Sequence, residues 1–71
     1  MMKGDVFRLN GASQEMWLWD GSYSSLEPDT EIVQLTNRRI RMNLFRIKGT
    51  DIVGLIDSTT MDRYFVRESN E

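Results

Sequence analysis

The sequence has no cysteine, no histidine, a single proline, two lysines and five glycines scattered among its 71 residues. Without cysteine there is no disulfide framework, no zinc–thiolate site and no thiol nucleophile, and the redox compartment is left open. Without histidine the chain lacks the commonest general base and the commonest transition-metal ligand. Catalysis would have to rest on carboxylates, hydroxyls or Lys3 and Lys48, and neither lysine has the apolar setting that lowers an ammonium pKa. The glycines fall singly at turns, so no phosphate-cradling loop is spelled out. No run is apolar enough to span a bilayer, and Asp5 interrupts the start before a signal sequence can form. The expectation is therefore a non-enzymatic, cofactor-free, cytoplasmic protein.

What is present is enough for one folded domain over residues 1–71. Hydrophobic residues make up 39% of the chain, with seven aromatics and five methionines, too many for a disordered segment of low net charge. A domain this short buries only about 60% of the surface its unfolded chain exposes, so its core is thin or is completed by a partner. Residues 67–71, ending Glu68-Ser69-Asn70-Glu71, read as a solvated, flexible tail.

Apolar residues do not repeat at helical spacing for more than two turns, whereas short β-branched and aromatic runs recur between turn signals. The pattern is all-β. The first run, Asp5 to Leu9, is closed by Asn10-Gly11, a strong hairpin dipeptide. A second run, Gln14 to Trp19, is expected to fold back on it with Arg8 facing Glu15 and Phe7 facing Met16. Asp20 to Thr30, holding Gly21, three serines and Pro28, reads as the one long connection, anchored by Tyr23 and Leu26. A third strand follows over Glu31 to Leu35 and a fourth over Arg39 to Lys48. Gly49-Thr50 is expected to make a tight II′ turn into Asp51 to Ile56. Asp57 to Asp62 carries a cap and small polar residues, the signature of one helical turn, and a last strand runs from Arg63 to Val66 or Arg67.

Five or six such strands would leave an apolar face wet if they lay flat, and a small barrel resolves this. The run Ser25-Leu26-Glu27-Pro28-Asp29-Thr30-Glu31-Ile32-Val33, the hairpin at Gly49, and Gly54-Leu55-Ile56-Asp57-Ser58 with its closing strand resemble the SH3-type barrel over about residues 25–67. That resemblance implies a small SH3-like barrel and a binding-module role. It also argues against recognition of proline-rich peptides, because Leu44 stands where the family's ligand-stacking tryptophan would be, and Asp57 where its proline would be.

Two features point to a surface in use. Residues 38–48 hold five of the nine bases (Arg38, Arg39, Arg41, Arg46 and Lys48) and none of the eleven acids, in a chain of net charge −2. Alternation puts Ile40, Met42 and Leu44 on one face of this strand. A bulge near Asn43 to Phe45 would return Phe45 and Ile47 to the core and turn Arg46 and Lys48 outward. The resulting strip suits an acidic protein surface or nucleic acid, or is an ordinary charged strand face that guards against edge pairing.

The second feature is Met16-Trp17-Leu18-Trp19, apolar on both faces of one strand. One pair belongs to the core, and the other needs cover from Tyr23 and Leu26, from a second copy in a homodimer, or from a partner. Tryptophan and arginine are enriched at interface hot spots. The candidate binding residues are thus Trp17, Trp19, Tyr23, Arg39, Arg41, Arg46 and Lys48. The leading reading is a protein-binding adaptor, inhibitor or regulatory subunit, and the alternative is a nucleic-acid-binding barrel using residues 38–48.

Overall fold

A computed structural model of the chain describes residues 3–37 and 41–71. It contains strands β1 (Asp5–Leu9), β2 (Gln14–Leu18), β3 (Tyr23–Leu26), β4 (Glu31–Gln34), β5 (Met42–Ile47) and β6 (Val53–Asp57), helix α1 (Ser58–Tyr64) and strand β7 (Phe65–Asn70). All pairings are antiparallel, in the order β3-β2-β6-β5-β4-β1-β7. The protein is all-β, as its patterning requires. The sheet has seven strands rather than five or six, and it stays open, with β3 and β7 as its two edges.

The expected β1–β2 hairpin does not form. Gly11 does adopt a positive φ of 103°, but the turn carries the chain away instead of reversing it. The amide of Asn10 donates to Tyr64 O, and β1 lies between β4 and β7 with both edges paired. Arg8 consequently faces Glu31 and Val66 rather than Glu15, and its guanidinium contacts Asp29 and Glu68. A strand whose two edges can pair with β4 and β7 gains two ladders where a local hairpin would supply one.

The anticipated long loop is also corrected. Residues 20–30 contain β3, which pairs with β2 from Trp17↔Tyr23 to Gln14↔Leu26. Its turn is chemically explicit. The Gly21 amide donates to Leu18 O at 3.1 Å, Gly21 takes a φ of 85°, and Leu18 N–H donates to Ser22 O at 2.9 Å. This is the three-residue hairpin in which glycine occupies the left-handed position. Asp20 accepts hydrogen bonds from the Ser22 amide and hydroxyl, a local bond that favours reversal.

The β5–β6 hairpin forms as expected, with a different turn. Residues 48–51 make a four-residue loop between Ile47 and Ile52, and Thr50 N–H donates to Ile47 O. Gly49, with φ 82°, is the third residue of that turn and not the first central one that a II′ turn uses. Asp57 caps α1 as anticipated, its carboxylate accepting from the Thr60 amide at 2.8 Å. The helix is longer than one turn, because Met61 buries itself in the core and draws the segment on to Tyr64.

Most of the interior lies on one face of the sheet, while Val6 and Val33, paired across β1 and β4, are buried on the other. Phe7, Leu9, Met16, Leu26, Ile32, Phe45, Ile56, Met61 and Phe65 form one buried cluster, with Phe7 and Phe45 in edge-to-face contact at 6.1 Å. Asp5, Gln34 and Asn43 are also buried, and Asp5 receives hydrogen bonds from Arg67 and Asn70. No bulge occurs in β5, whose register with β6 runs unbroken from Met42↔Asp57 to Arg46↔Val53. Phe45 fixes the phase of this strand. Asn43 enters the interior with it, where it has an interaction partner, and Met42 and Leu44 take the outer face, the reverse of expectation.

Residues 67–71 do not trail into solvent. β7 continues to Asn70 opposite Asp5, Glu71 N–H donates to Gly4 O at 2.7 Å, and the Glu71 carboxylate meets Arg46 at 2.7 Å. Among the described residues no helix is long and apolar enough to cross a membrane.

Candidate functional site

Strand alternation decides which half of Met16-Trp17-Leu18-Trp19 is inside. Met16 is fully buried and Leu18 packs against the core, so Trp17 and Trp19 point outward, 46% and 73% exposed. Tyr23, 60% exposed, stands directly opposite Trp17 and stacks on it with centroids 6.4 Å apart and planes 19° from parallel. Leu26, the other anchor assigned to cover the tryptophans, lies in the core at 1% exposure. Along β3, Tyr23 and Ser25 share the outer face while Ser24 and Leu26 share the inner one, so Tyr23 alone reaches the tryptophans.

The outer face is continuous across four strands. Tyr23 pairs with Trp17, Trp17 with Leu55, and Leu55 with Leu44, and side chains of cross-strand partners share a face. Trp17 and Leu55 form a ridge between two depressions. One, of about 190 Å³, is lined by Glu15, Trp17, Tyr23, Met42, Leu55, Ile56, Asp57 and Thr60. The other, of about 180 Å³, is lined by Trp17, Leu18, Trp19, Gly21 and Leu55. The first brings two carboxylates to an aromatic wall. Hydrogen bonds from Thr60 hold the Asp57 carboxyl below the usual carboxylate range, with a smaller contribution from nearby Arg41. Ser22 does the same for Asp20 at the hairpin tip.

Gly54 makes this arrangement possible. It sits in β6 beside Leu18 of β2, and a Cβ built there would lie 2.6 Å from Trp17 O and 2.8 Å from Met16 Cγ. The bare backbone lets β2 approach β6, which places Trp17 against Leu55.

The basic candidates do not gather in the same way. Arg39 lies outside the described residues. Arg41 is exposed at the start of β5, where its carbonyl accepts the Ser58 amide. Arg46 faces outward opposite Val33, as expected, but pairs with Glu71 and donates to Thr50 O. Lys48 lies 3.7 Å from Glu31. Arg46 and Lys48 are therefore individually matched to acids from distant parts of the chain.

The structure adds Glu15, Met42, Leu55, Asp57 and Thr60 to the residues around the tryptophans. Asp20-Gly21 is a hairpin dipeptide of the same kind as Asn10-Gly11. It was the available signal that β2 turns back into a strand bearing Tyr23. In comparisons with known proteins, the chain matches no protein-family model, no curated protein and no solved structure.

Proposed function

We propose that this chain is a non-catalytic protein-binding module, an adaptor, inhibitor or regulatory subunit, that engages its partner through the outer face of the β2–β3 hairpin. The observation that carries the reading is the cluster of Trp17, Trp19 and Tyr23, all about half exposed or more on one face of a 71-residue chain. Burying a large apolar side chain is worth roughly 1.5–3 kcal/mol, so leaving three of them wet forgoes stability that a thin core needs. A partner that covers them recovers it. Aromatic anchors beside shallow depressions, rimmed by polar groups such as Glu15 and Asp57, are the composition of an interface centre.

Within the same reading, the architecture is a small SH3-like barrel. Support comes from the β4-β5-β6 meander, the short helix leading into β7, and β1 lying between β7 and β4. The early excursion of that architecture is here folded into the β2–β3 hairpin. The nucleic-acid reading draws less support, because Arg46 and Lys48 already meet acids and the chain as a whole is acidic.

The test is affinity purification with the wild-type chain and a Trp17→Ala, Trp19→Ala variant of unchanged circular dichroism. The expected result is a protein retained by the wild type through a high-salt wash and lost by the variant. Equal retention by both, or recovery of nucleic acid that salt strips away, would overturn the proposal.

A further inference from the structure

The two edges of the sheet are protected unequally. β7 carries Arg67 and Glu68, and a register shift between Val6 and Phe7 interrupts its pairing with β1; charges and bulges are the usual guards of a sheet edge. β3, reading Tyr-Ser-Ser-Leu, has no charge, no proline and no bulge, and its four-residue ladder with β2 is unbroken. Because Leu18 and Ser22 form a hydrogen-bonded pair, antiparallel alternation makes Met16·Ser24 and Gln14·Leu26 hydrogen-bonded pairs as well. The N–H and C=O of Tyr23 and Ser25 therefore point away from β2. Among the described residues, no backbone bond outside the ladder reaches them.

The charge around this edge has one sign. From Leu9 to Asn37 the chain has no lysine or arginine, and it has five acids. Asp29 and Glu31 meet Arg8 and Lys48, whereas among the described residues no base forms a salt bridge with Glu15, Asp20 or Glu27. These three surround β3. Asp20 stands in the turn before it, Glu27 follows it, and Glu15 lies opposite Ser25.

We propose that the free edge of β3 accepts an extended segment of a partner polypeptide as an eighth strand, and that this segment is basic, with Lys or Arg near both ends of its paired stretch. The inference rests on the protein-binding reading and adds to it the mode of attachment and the chemistry of the partner. Main-chain bonds to Tyr23 and Ser25 supply the pairing, Asp20 and Glu27 select charge at the two ends, and Tyr23 offers its ring to the residue beside it. A second copy is a poor occupant. Antiparallel pairing of two β3 edges would bring the Asp20 end of one against the Glu27 end of the other, like charges in cross-strand contact.

The probe is an acetylated, amidated hexapeptide with lysine at both ends and alternating valine and threonine between them, titrated into the ¹⁵N-labelled full chain. The expected result is exchange protection of the Tyr23 and Ser25 amides and backbone contacts from β3 to the peptide. The same peptide with glutamate ends should bind about tenfold more weakly, the combined effect of two reversed cross-strand charge contacts. Ser25→Pro removes an outward N–H without touching the β2 ladder, so it should keep the spectrum and lose the peptide. A hexapeptide N-methylated on the residues facing β3 makes the same test with the protein unchanged. Undiminished binding of that peptide would overturn strand addition. Perturbation of Trp17, Met42 and Leu55 without protection of Tyr23 and Ser25 would overturn it too, while leaving the protein-binding reading standing. Protection without peptide, with a doubled mass, would replace the partner by a second copy and so refute the proposal. Peptide protection as expected, together with equal retention by the tryptophan variant in the purification above, would support the edge and sink the aromatic face.

Discussion

Replacing Gly54 by alanine tests the contact that assembles the aromatic face. Gly54 has no left-handed φ, so alanine meets no backbone penalty there. In a strand the change would ordinarily stabilise by roughly 0.5–1 kcal/mol. Here the new methyl would lie 2.6 Å from the Trp17 carbonyl oxygen and 2.8 Å from Met16 Cγ, where ordinary contact begins at 3.4 Å. Met16 Cγ can swing aside at modest cost, but the carbonyl cannot. It belongs to β2, which must withdraw by about 0.8 Å from a strand it pairs with only at Trp17↔Leu55 and Leu18↔Gly54. Overpacking of this kind costs typically 1–3 kcal/mol. Offset by the gain from removing a strand glycine, the net loss centres on about 1 kcal/mol, which in a domain of this size lowers the melting temperature by roughly 4–8 °C per kcal/mol. Thermal and urea unfolding give the total. Amide exchange locates it, with Trp17 and Leu18 losing protection while β1, β4 and β7 keep theirs. A variant as stable as the wild type, or more stable, would show that β2 does not lie this close to β6, and the placement of Trp17 against Leu55 would fall with it.

Two further substitutions separate core from surface. Leu26→Ala should cost about 2–5 kcal/mol, as buried leucines do, while Trp19→Ala at 73% exposure should stay within about 0.5 kcal/mol; urea denaturation of both checks this, and reversed costs would mean that the whole β2–β3 hairpin presents its other face to the core. Asp57→Ala removes the α1 cap and should cost about 1 kcal/mol at neutral pH. The folded-state carboxyl titrates below its ordinary value because Thr60 holds the charged form, so its contribution is complete above about pH 4 and is lost as pH falls through the lower folded value. The gap between wild type and variant should therefore narrow on acidification, and a gap independent of pH would take the Asp57 carboxylate out of the cap.

How much of this was legible in the sequence follows the range of the interactions involved. Alternation in Met16-Trp17-Leu18-Trp19 dictated that the two tryptophans share a face. The capping carboxylate of Asp57 and the β5–β6 reversal at Gly49 were legible because neighbouring residues decide them. The β2–β3 hairpin is equally local, written in Asp20-Gly21, but the surrounding serines and Pro28 give residues 20–30 the composition of a loop.

Other features depended on partners far away in the chain. Asn10-Gly11 supplies the turn chemistry of a hairpin, yet β1 pairs with β4 and β7, because burying Phe7 and Leu9 among Ile32, Phe45 and Phe65 outweighs a local reversal. The phase of β5 could not be read from Met42 to Ile47, since two registers bury comparable apolar sets. Phe45 against Phe7 settles it and carries Asn43 inward. The charges show the same division. The acidic character of residues 9–37 is fixed by composition, whereas Arg46 and Lys48 meet Glu71 and Glu31 only because the sheet brings those strands and the C-terminal residue together. Sequence alone determined an all-β chain whose two tryptophans share one face, because strand geometry has a period of two, and burial of Met16 in the folded core turned that face outward. Which strands are neighbours, and so which side chains stand beside those tryptophans, was decided by tertiary structure, where burial of non-local apolar surface outweighs turn propensity.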